Sequence, residues 1–359
     1  MFGEKGDNNT RNVDLTDISV MLNDGNVMPK YGMGLWQLTE YKDISTALAT
    51  GLLKCNIRHI DGAMIYENEN MQGQVIHDIL NGKIFIKNNN IECKANKGIE
   101  RYRDMSRKDL FITSKIWNTY HCNPEKALEK TLKDLQTDYL DLLLIHWPVS
   151  FKGKKEDFMK TVDTKKQQNI FCGYLENNLY VLDSTPLIET WKSLEKMKIE
   201  GKVRSIGVSN FGIENMKMLI NYYEEKINMN ENNKKFLPAV LQIELHPYLQ
   251  QKELISFCKK YNITVEAYSS LGSSKLNLLE NKILKEIAEK HKASVPNVIL
   301  NYLVDYLDVV VISKSKNEQH IIDNCKKIDL DTNDCKKIEM LDKGEKAINP
   351  HSFGEDRFK

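Results

Sequence analysis

Apolar residues gather along this chain into short runs that close on polar side chains, and longer amphipathic stretches separate the runs. The runs at 31–36, 57–61, 111–115, 140–146, 205–209, 240–242, 264–268 and 309–313 are brief and mostly rich in branched apolar residues, which predicts eight strands. Stretches such as 124–136, 186–199 and 281–291 carry apolar residues at helical spacing. Eight repeats of strand and helix predict an α/β fold of the (β/α)8 TIM-barrel class rather than an open sheet. Ahead of them, 18–22 and 26–28 flank the turn residues Asn23, Asp24 and Gly25, a β-hairpin pattern expected to cap the barrel bottom.

Residues 1–16 are polar and expected to be loosely held, leaving 17–359 as a single barrel domain. Two connections exceed the usual length. The first, 82–107, is rich in Lys and Asn, precedes the third strand and so belongs on the N-terminal face, as solvated decoration. The second, 149–185, leaves the C-terminal end of the fourth strand and is expected to overhang the active site. The tail, 344–359, is expected near the substrate pocket.

At 359 residues the length alone would suggest about two domains, but a barrel of about 250 residues with insertions accounts for it. With 51 basic and 50 acidic residues the net charge is +1, which provides no field for nucleic acid or an acidic membrane. A small-molecule ligand is expected instead. Seven cysteines without paired spacing, and an opening Met-Phe-Gly-Glu-Lys without an apolar signal region, point to a reduced, cytoplasmic setting. No apolar run approaches the length of a membrane span.

Three strand-like runs close on residues with chemical potential: Asp61, Lys115 and His146, with Tyr66 five positions beyond Asp61. In a barrel, strand ends converge on the C-terminal face, where active sites are built. Reducing a carbonyl requires a proton for its oxygen, and a tyrosine hydroxyl with an ordinary pKa of about 10 supplies it when a buried ammonium stabilises the anion left behind. Lys115 is placed to do this for Tyr66, Asp61 to keep Lys115 charged, and His146 to orient the carbonyl oxygen. Taken singly, each residue also has a structural reading: an ion pair, a hydrogen-bonded histidine, a rim aromatic. Their coincidence at one face favours chemistry.

The segments Arg58-His59-Ile60-Asp61-Gly62-Ala63 with Tyr66 and Asn68-Glu69, Ile112-Thr113-Ser114-Lys115, Leu144-Ile145-His146-Trp147-Pro148 and Gly207-Val208-Ser209-Asn210-Phe211 resemble the motifs of aldo-keto reductases. The resemblance covers about residues 20–330. It implies that Tyr66, Lys115, Asp61 and His146 form a catalytic tetrad and that the chain reduces aldehydes or ketones with NADPH, NADH being a weaker alternative. It further implies that Ser209, Asn210 and Gln242 hold the nicotinamide carboxamide, that Tyr268 stacks on the ring with Ser269 and Leu271 beside it, and that Lys314, Ser315 and Asn317 hold the 2′-phosphate. Asn324 would read the adenine edge.

His320 stands where the family carries an arginine, and imidazole cannot reproduce a bidentate fork, so a weaker preference for NADPH over NADH is expected. Trp36, Trp117 and Trp147, with His146, match positions around the family's carbonyl pocket, and Phe151 is a further candidate. Structurally, Ser209 and Asn210 also suit a helix N-cap, and Gln242 and Tyr268 barrel filling. The eight histidines lack metal-ligand spacing, and this chemistry requires no metal. Two other readings stay open: an NADPH-binding regulatory subunit docking through 82–107, and a barrel enzyme using Lys115 as a Schiff base. The expected state is a monomer or weak homo-oligomer.

Overall fold

A computed structural model describes residues 10–11, 15–93, 105–153, 173, 175–177, 179–228 and 236–353. Its strands are β1 (Thr10–Arg11), β2 (Ser19–Met21), β3 (Val27–Pro29), β4 (Tyr31–Gly34), β5 (His59–Asp61), β6 (Ile84–Lys87), β7 (Asn90–Cys93), β8 (Phe111–Ile116), β9 (Leu140–Ile145), β10 (Leu175–Glu176), β11 (Leu179–Tyr180), β12 (Val203–Ser209), β13 (Val240–Glu244), β14 (Thr264–Tyr268), β15 (Val310–Ser313) and β16 (Lys327–Ile328). The helices are α1 (Tyr41–Ala49), α2 (Glu69–Leu80), α3 (Pro124–Leu135), α4 (Leu187–Ile199), α5 (Ile213–Asn228), α6 (Lys252–Lys260), α7 (Lys282–Lys290), α8 (Val295–Asn301), α9 (Glu318–Asn324) and α10 (Thr332–Glu339).

Strands β4, β5, β8, β9, β12, β13, β14 and β15 pair in parallel, in that order, and β15 returns to β4, so the sheet closes into the expected barrel. Local sequence signals place its helices. Asn123 caps α3 by accepting from Lys126 N with Pro124 in the first turn, and Asn281 caps α7 by accepting from Leu284 N. Close strand approach sets one glycine: a Cβ on Gly207 in β12 would lie 2.4 Å from the Val240 carbonyl oxygen of β13.

The N-terminal hairpin, β2 with β3, plugs the barrel bottom. Leu22 and Met28 are fully buried against Phe111, Leu142, Val240 and Val310, which lie toward the starts of barrel strands. The expectation of a loose segment through residue 16 needs correcting at its end. Thr10–Arg11 pairs antiparallel with Lys327–Ile328, and Leu15 is buried in the main core. Apolar burial and backbone pairing together fix a segment whose composition is polar.

The insertion after α2 contains the antiparallel hairpin β6–β7, with residues 94–104 outside the described set. It is more than solvated decoration, because Ile84 and Phe85 are buried. Lys54, at the far end of the α1 segment, donates to Asn89 O and pairs with Glu318 at 2.6 Å. Of the long connection after β9, 154–172, 174 and 178 lie outside the described residues. The remainder forms β10–β11 and a bridge between Phe151 and Leu182. Among the described residues no helix is long and apolar enough to cross a membrane.

Candidate active site

β5 ends on Asp61, β8 carries Lys115 one residue before its end, and His146 directly follows β9, so parallel pairing brings all three to the C-terminal mouth. Tyr66 closes a single helical turn (Met64–Tyr66) just beyond β5. The Lys115 side chain is fully buried. Its Nζ donates to Asp61 Oδ1 at 2.7 Å, to Gly62 O at 2.8 Å and to Tyr66 Oη at 3.2 Å. Three acceptors for three ammonium hydrogens complete its coordination.

Burial by itself would drive the Lys115 ammonium toward neutrality, but Asp61 and then Tyr66 outweigh it and hold its pKa above the ordinary lysine value. Burial pushes the Tyr66 hydroxyl up to about 12 while Lys115 pulls it down, so Tyr66 carries its proton at neutral pH. The ring is only half-buried, and solvent at the mouth tempers that rise. Burial, and then Lys115, hold His146 well below the usual imidazole range, so it is neutral. Its ring sits edge-on to Tyr66 at 6.0 Å between centroids and to Trp117 at 5.3 Å. A protonated phenol beside an ammonium and a neutral imidazole is an arrangement that can donate hydrogen to a carbonyl oxygen.

Below the tetrad, a polar layer crosses the barrel interior. Gln242 Nε2 donates to Asp61 Oδ1 and to Glu266 Oε2, both at 2.8 Å, and Glu266 Oε1 lies 3.3 Å from His59 Nε2. Ser209 pairs with Gln242 in register across β12 and β13. Asn210 Nδ2 donates to His146 O at 2.9 Å and to Ser209 Oγ at 3.1 Å, and Asn210 Oδ1 accepts from the Tyr268 hydroxyl at 2.6 Å. The residues expected to hold a nicotinamide therefore form one network with the tetrad. Ser269 follows Tyr268 in a left-handed conformation, and its Oγ accepts from Ser273 Oγ at 2.7 Å. Leu271 is half-buried against the core.

The expected phosphate residues surround the start of α9. Asn317 caps that helix by accepting from His320 N at 3.0 Å, and its own N–H donates to Ser315 Oγ at 3.0 Å. Lys314 and His320 are exposed there, Asn324 is buried in the helix, and Lys316 reaches Asp43 at 3.5 Å. A helix start with a lysine beside it suits an anion. Among the described residues no group of three or more His, Cys, Asp or Glu side chains is placed to hold a metal ion.

Aromatic rings build the wall next to His146. Trp147 meets Phe353 at 5.2 Å, Phe151 stacks on Tyr180 at 4.5 Å, and Phe353 packs on Trp117 at 6.0 Å. Trp36 stands apart from this cluster, 37% exposed two residues beyond β4. Two wall residues, Tyr180 and Phe353, were not singled out from the sequence. Phe353 is brought in by a latch: the Glu244 carboxylate, at the end of β13, accepts from Ala347 N and Ile348 N, and Lys275 Nζ donates to Ala347 O. Truncating Phe353 to Ala should raise KM for an aromatic aldehyde about tenfold by loss of one buried ring contact. Affinity for NADPH should stay within twofold. Steady-state kinetics beside a fluorescence titration of NADPH check this.

Missed as well were His59 and Glu266, which lie inside apolar runs where alternation hides which residues face the lumen. The sequence model of the Aldo/keto reductase family matches residues 30–343. Over 341 residues the chain is 35% identical to an aldose reductase of Encephalitozoon cuniculi, covering 94% of this chain and 98% of that protein. It is 36% identical over 335 residues to the glycerol 2-dehydrogenase (NADP(+)) of Saccharomyces cerevisiae, covering 91% and 92%. An aldo-keto reductase solved in complex with NADPH superposes with a TM-score of 0.73 at 26% identity, covering 95% of this chain and 93% of that one. Sequence, barrel topology and site geometry thus converge, and the chain belongs to the aldo/keto reductase family.

Proposed function

We propose that this protein reduces aldehydes or ketones to alcohols with NADPH, with Tyr66 as the proton donor. The observation that carries the reading is the Lys115 ammonium held between Asp61 at 2.7 Å and the Tyr66 hydroxyl at 3.2 Å at the barrel mouth. When bound, the nicotinamide supplies hydride to the carbonyl carbon. Tyr66 Oη gives its proton to the carbonyl oxygen, and Lys115 stabilises the phenolate left behind. Neutral His146 donates a hydrogen bond that fixes the oxygen beside Tyr66. Asp61 keeps Lys115 charged throughout.

Ser209, Asn210 and Gln242 are assigned to the carboxamide, Tyr268 with Ser269 and Leu271 to the nicotinamide side, Lys314, Ser315, Asn317 and His320 to the 2′-phosphate, and Asn324 to the adenine edge. The fit is supported by Gln242, whose Nε2 is tied to two carboxyl groups while its Oε1 accepts no hydrogen bond from the described residues. Trp117, Trp147 and His146 border the substrate, with Trp36 at the outer rim. The family and the NADPH-bound structural relative support the cofactor, and the aldose reductase relative supports a small carbonyl substrate.

Consumption of NADPH with 4-nitrobenzaldehyde, followed by its absorbance, tests the reading. Turnover of about 1–1,000 per second is expected. Binding of NADPH without turnover of any aldehyde or ketone would overturn it in favour of a regulatory subunit. The site also predicts an effect of His320, exposed on the first turn of α9. Changing His320→Arg restores a charge-assisted fork and should tighten NADPH about tenfold with NADH unchanged. Paired Kd measurements decide, and equal changes for both nucleotides would remove His320 from the phosphate site.

A further inference from the structure

The proposed chemistry uses most polar side chains inside the barrel, but it leaves Glu266 unexplained. This residue, on β14, is 0% exposed and pairs in register with Gln242 on β13. Burying a carboxyl group is costly, and an apolar residue would fill the position at less cost. What Glu266 contributes is an acceptor. Gln242 Nε2 lies between Asp61 Oδ1 and Glu266 Oε2, 2.8 Å from each, so both amide hydrogens are committed. The flipped amide would set Oε1 against two carboxyl oxygens. With Asp61 alone, one amide hydrogen would be left without a partner in a buried site and the orientation would be weakly held.

We propose that Glu266 is a positioning residue for the cofactor: with Asp61 it locks the Gln242 amide so that Oε1 alone faces the ligand. The site then selects a nicotinamide ring whose substituent carries an N–H donor. This rests on the assignment of Gln242 to the carboxamide. Oε2 accepts from Gln242 when Glu266 is ionised and also when a proton sits on Oε1. Burial, and then Asp61, push its carboxyl group up to about 8, while the Gln242 hydrogen bond and then Lys115 oppose the rise. Burial holds the His59 ring, 3.3 Å from Oε1, down at about 3, so it is neutral and places no charge beside Glu266.

The test compares binding of NADP+ with its 3-acetylpyridine analogue, in which an acetyl group without N–H replaces the carboxamide, by quenching of tryptophan fluorescence. The wild type should bind NADP+ about tenfold more tightly than the analogue, the effect of one hydrogen bond to a buried acceptor. In Glu266→Leu, which fills the volume without an acceptor, the preference should fall to about twofold through weaker NADP+ binding. Glu266→Gln should restore it, because its amide oxygen accepts from Gln242. Glu266→Ala provides the same comparison if the leucine variant does not fold.

A wild-type preference in folded Glu266→Leu or Glu266→Ala overturns the lock. So does loss of the preference in folded Glu266→Gln, since an acceptor would then be insufficient. If the wild type binds neither nucleotide, the cofactor assignment falls and this inference with it. If turnover depends on Tyr66 while the preference ignores Glu266, only the inference falls.

Discussion

Replacing Tyr66 with Phe is expected to lower kcat for aldehyde reduction by about 10²–10⁴-fold, the usual contribution of a positioned general acid. The ring is half-buried and its hydroxyl meets Lys115 Nζ at 3.2 Å, so phenylalanine keeps the packing and loses only the proton and that contact. NADPH affinity should remain within a few-fold, since the residues proposed to hold the carboxamide are Asn210 and Gln242 rather than Tyr66. Loss of NADPH absorbance with 4-nitrobenzaldehyde, beside a binding titration, separates chemistry from binding. A Tyr66→Phe variant that retained more than a tenth of wild-type turnover would assign the proton to another group.

Lys115→Met should damage both stability and activity. The substitution leaves the Asp61 carboxylate, 4% exposed, with Gln242 Nε2 but without its cation. Breaking a buried pair on one side costs about 3–5 kcal/mol. Urea unfolding should show that loss, and turnover should fall at least as far as in Tyr66→Phe, because the phenolate loses its counter-ion. The double variant Asp61→Leu with Lys115→Met separates the two effects. Removing both charges should recover most of the stability, since well-packed apolar replacements of buried pairs are often neutral, while activity stays lost. Recovered turnover in the double variant would reduce the pair to an architectural role.

The barrel was legible because its strands are buried on both faces. Such strands read as nearly continuous apolar runs, so the polar residue that ends one stands out, and Asp61, Lys115 and His146 were visible for that reason. The same property hid His59 and Glu266. A polar residue within a run faces either the lumen or the helices, and only the closed register shows that these two meet across the interior at 3.3 Å. Edges were legible with small errors. The strand expected at 240–242 continues to Glu244, and the one expected from residue 57 begins at His59.

Thus the order of elements, the barrel class and the four residues at its mouth follow from the sequence by itself, since each is a local pattern of period, length and run ending. Contacts distant along the chain were settled only by tertiary structure. Thr10–Arg11 is held by Lys327–Ile328, and the tail is latched by Glu244 so that Phe353 reaches Trp117. Gln242 is held between Asp61 and Glu266 across the interior. Each of these depends on where the closed barrel sets strand ends against one another, and burial then makes every unpaired polar group costly enough to enforce the pairing.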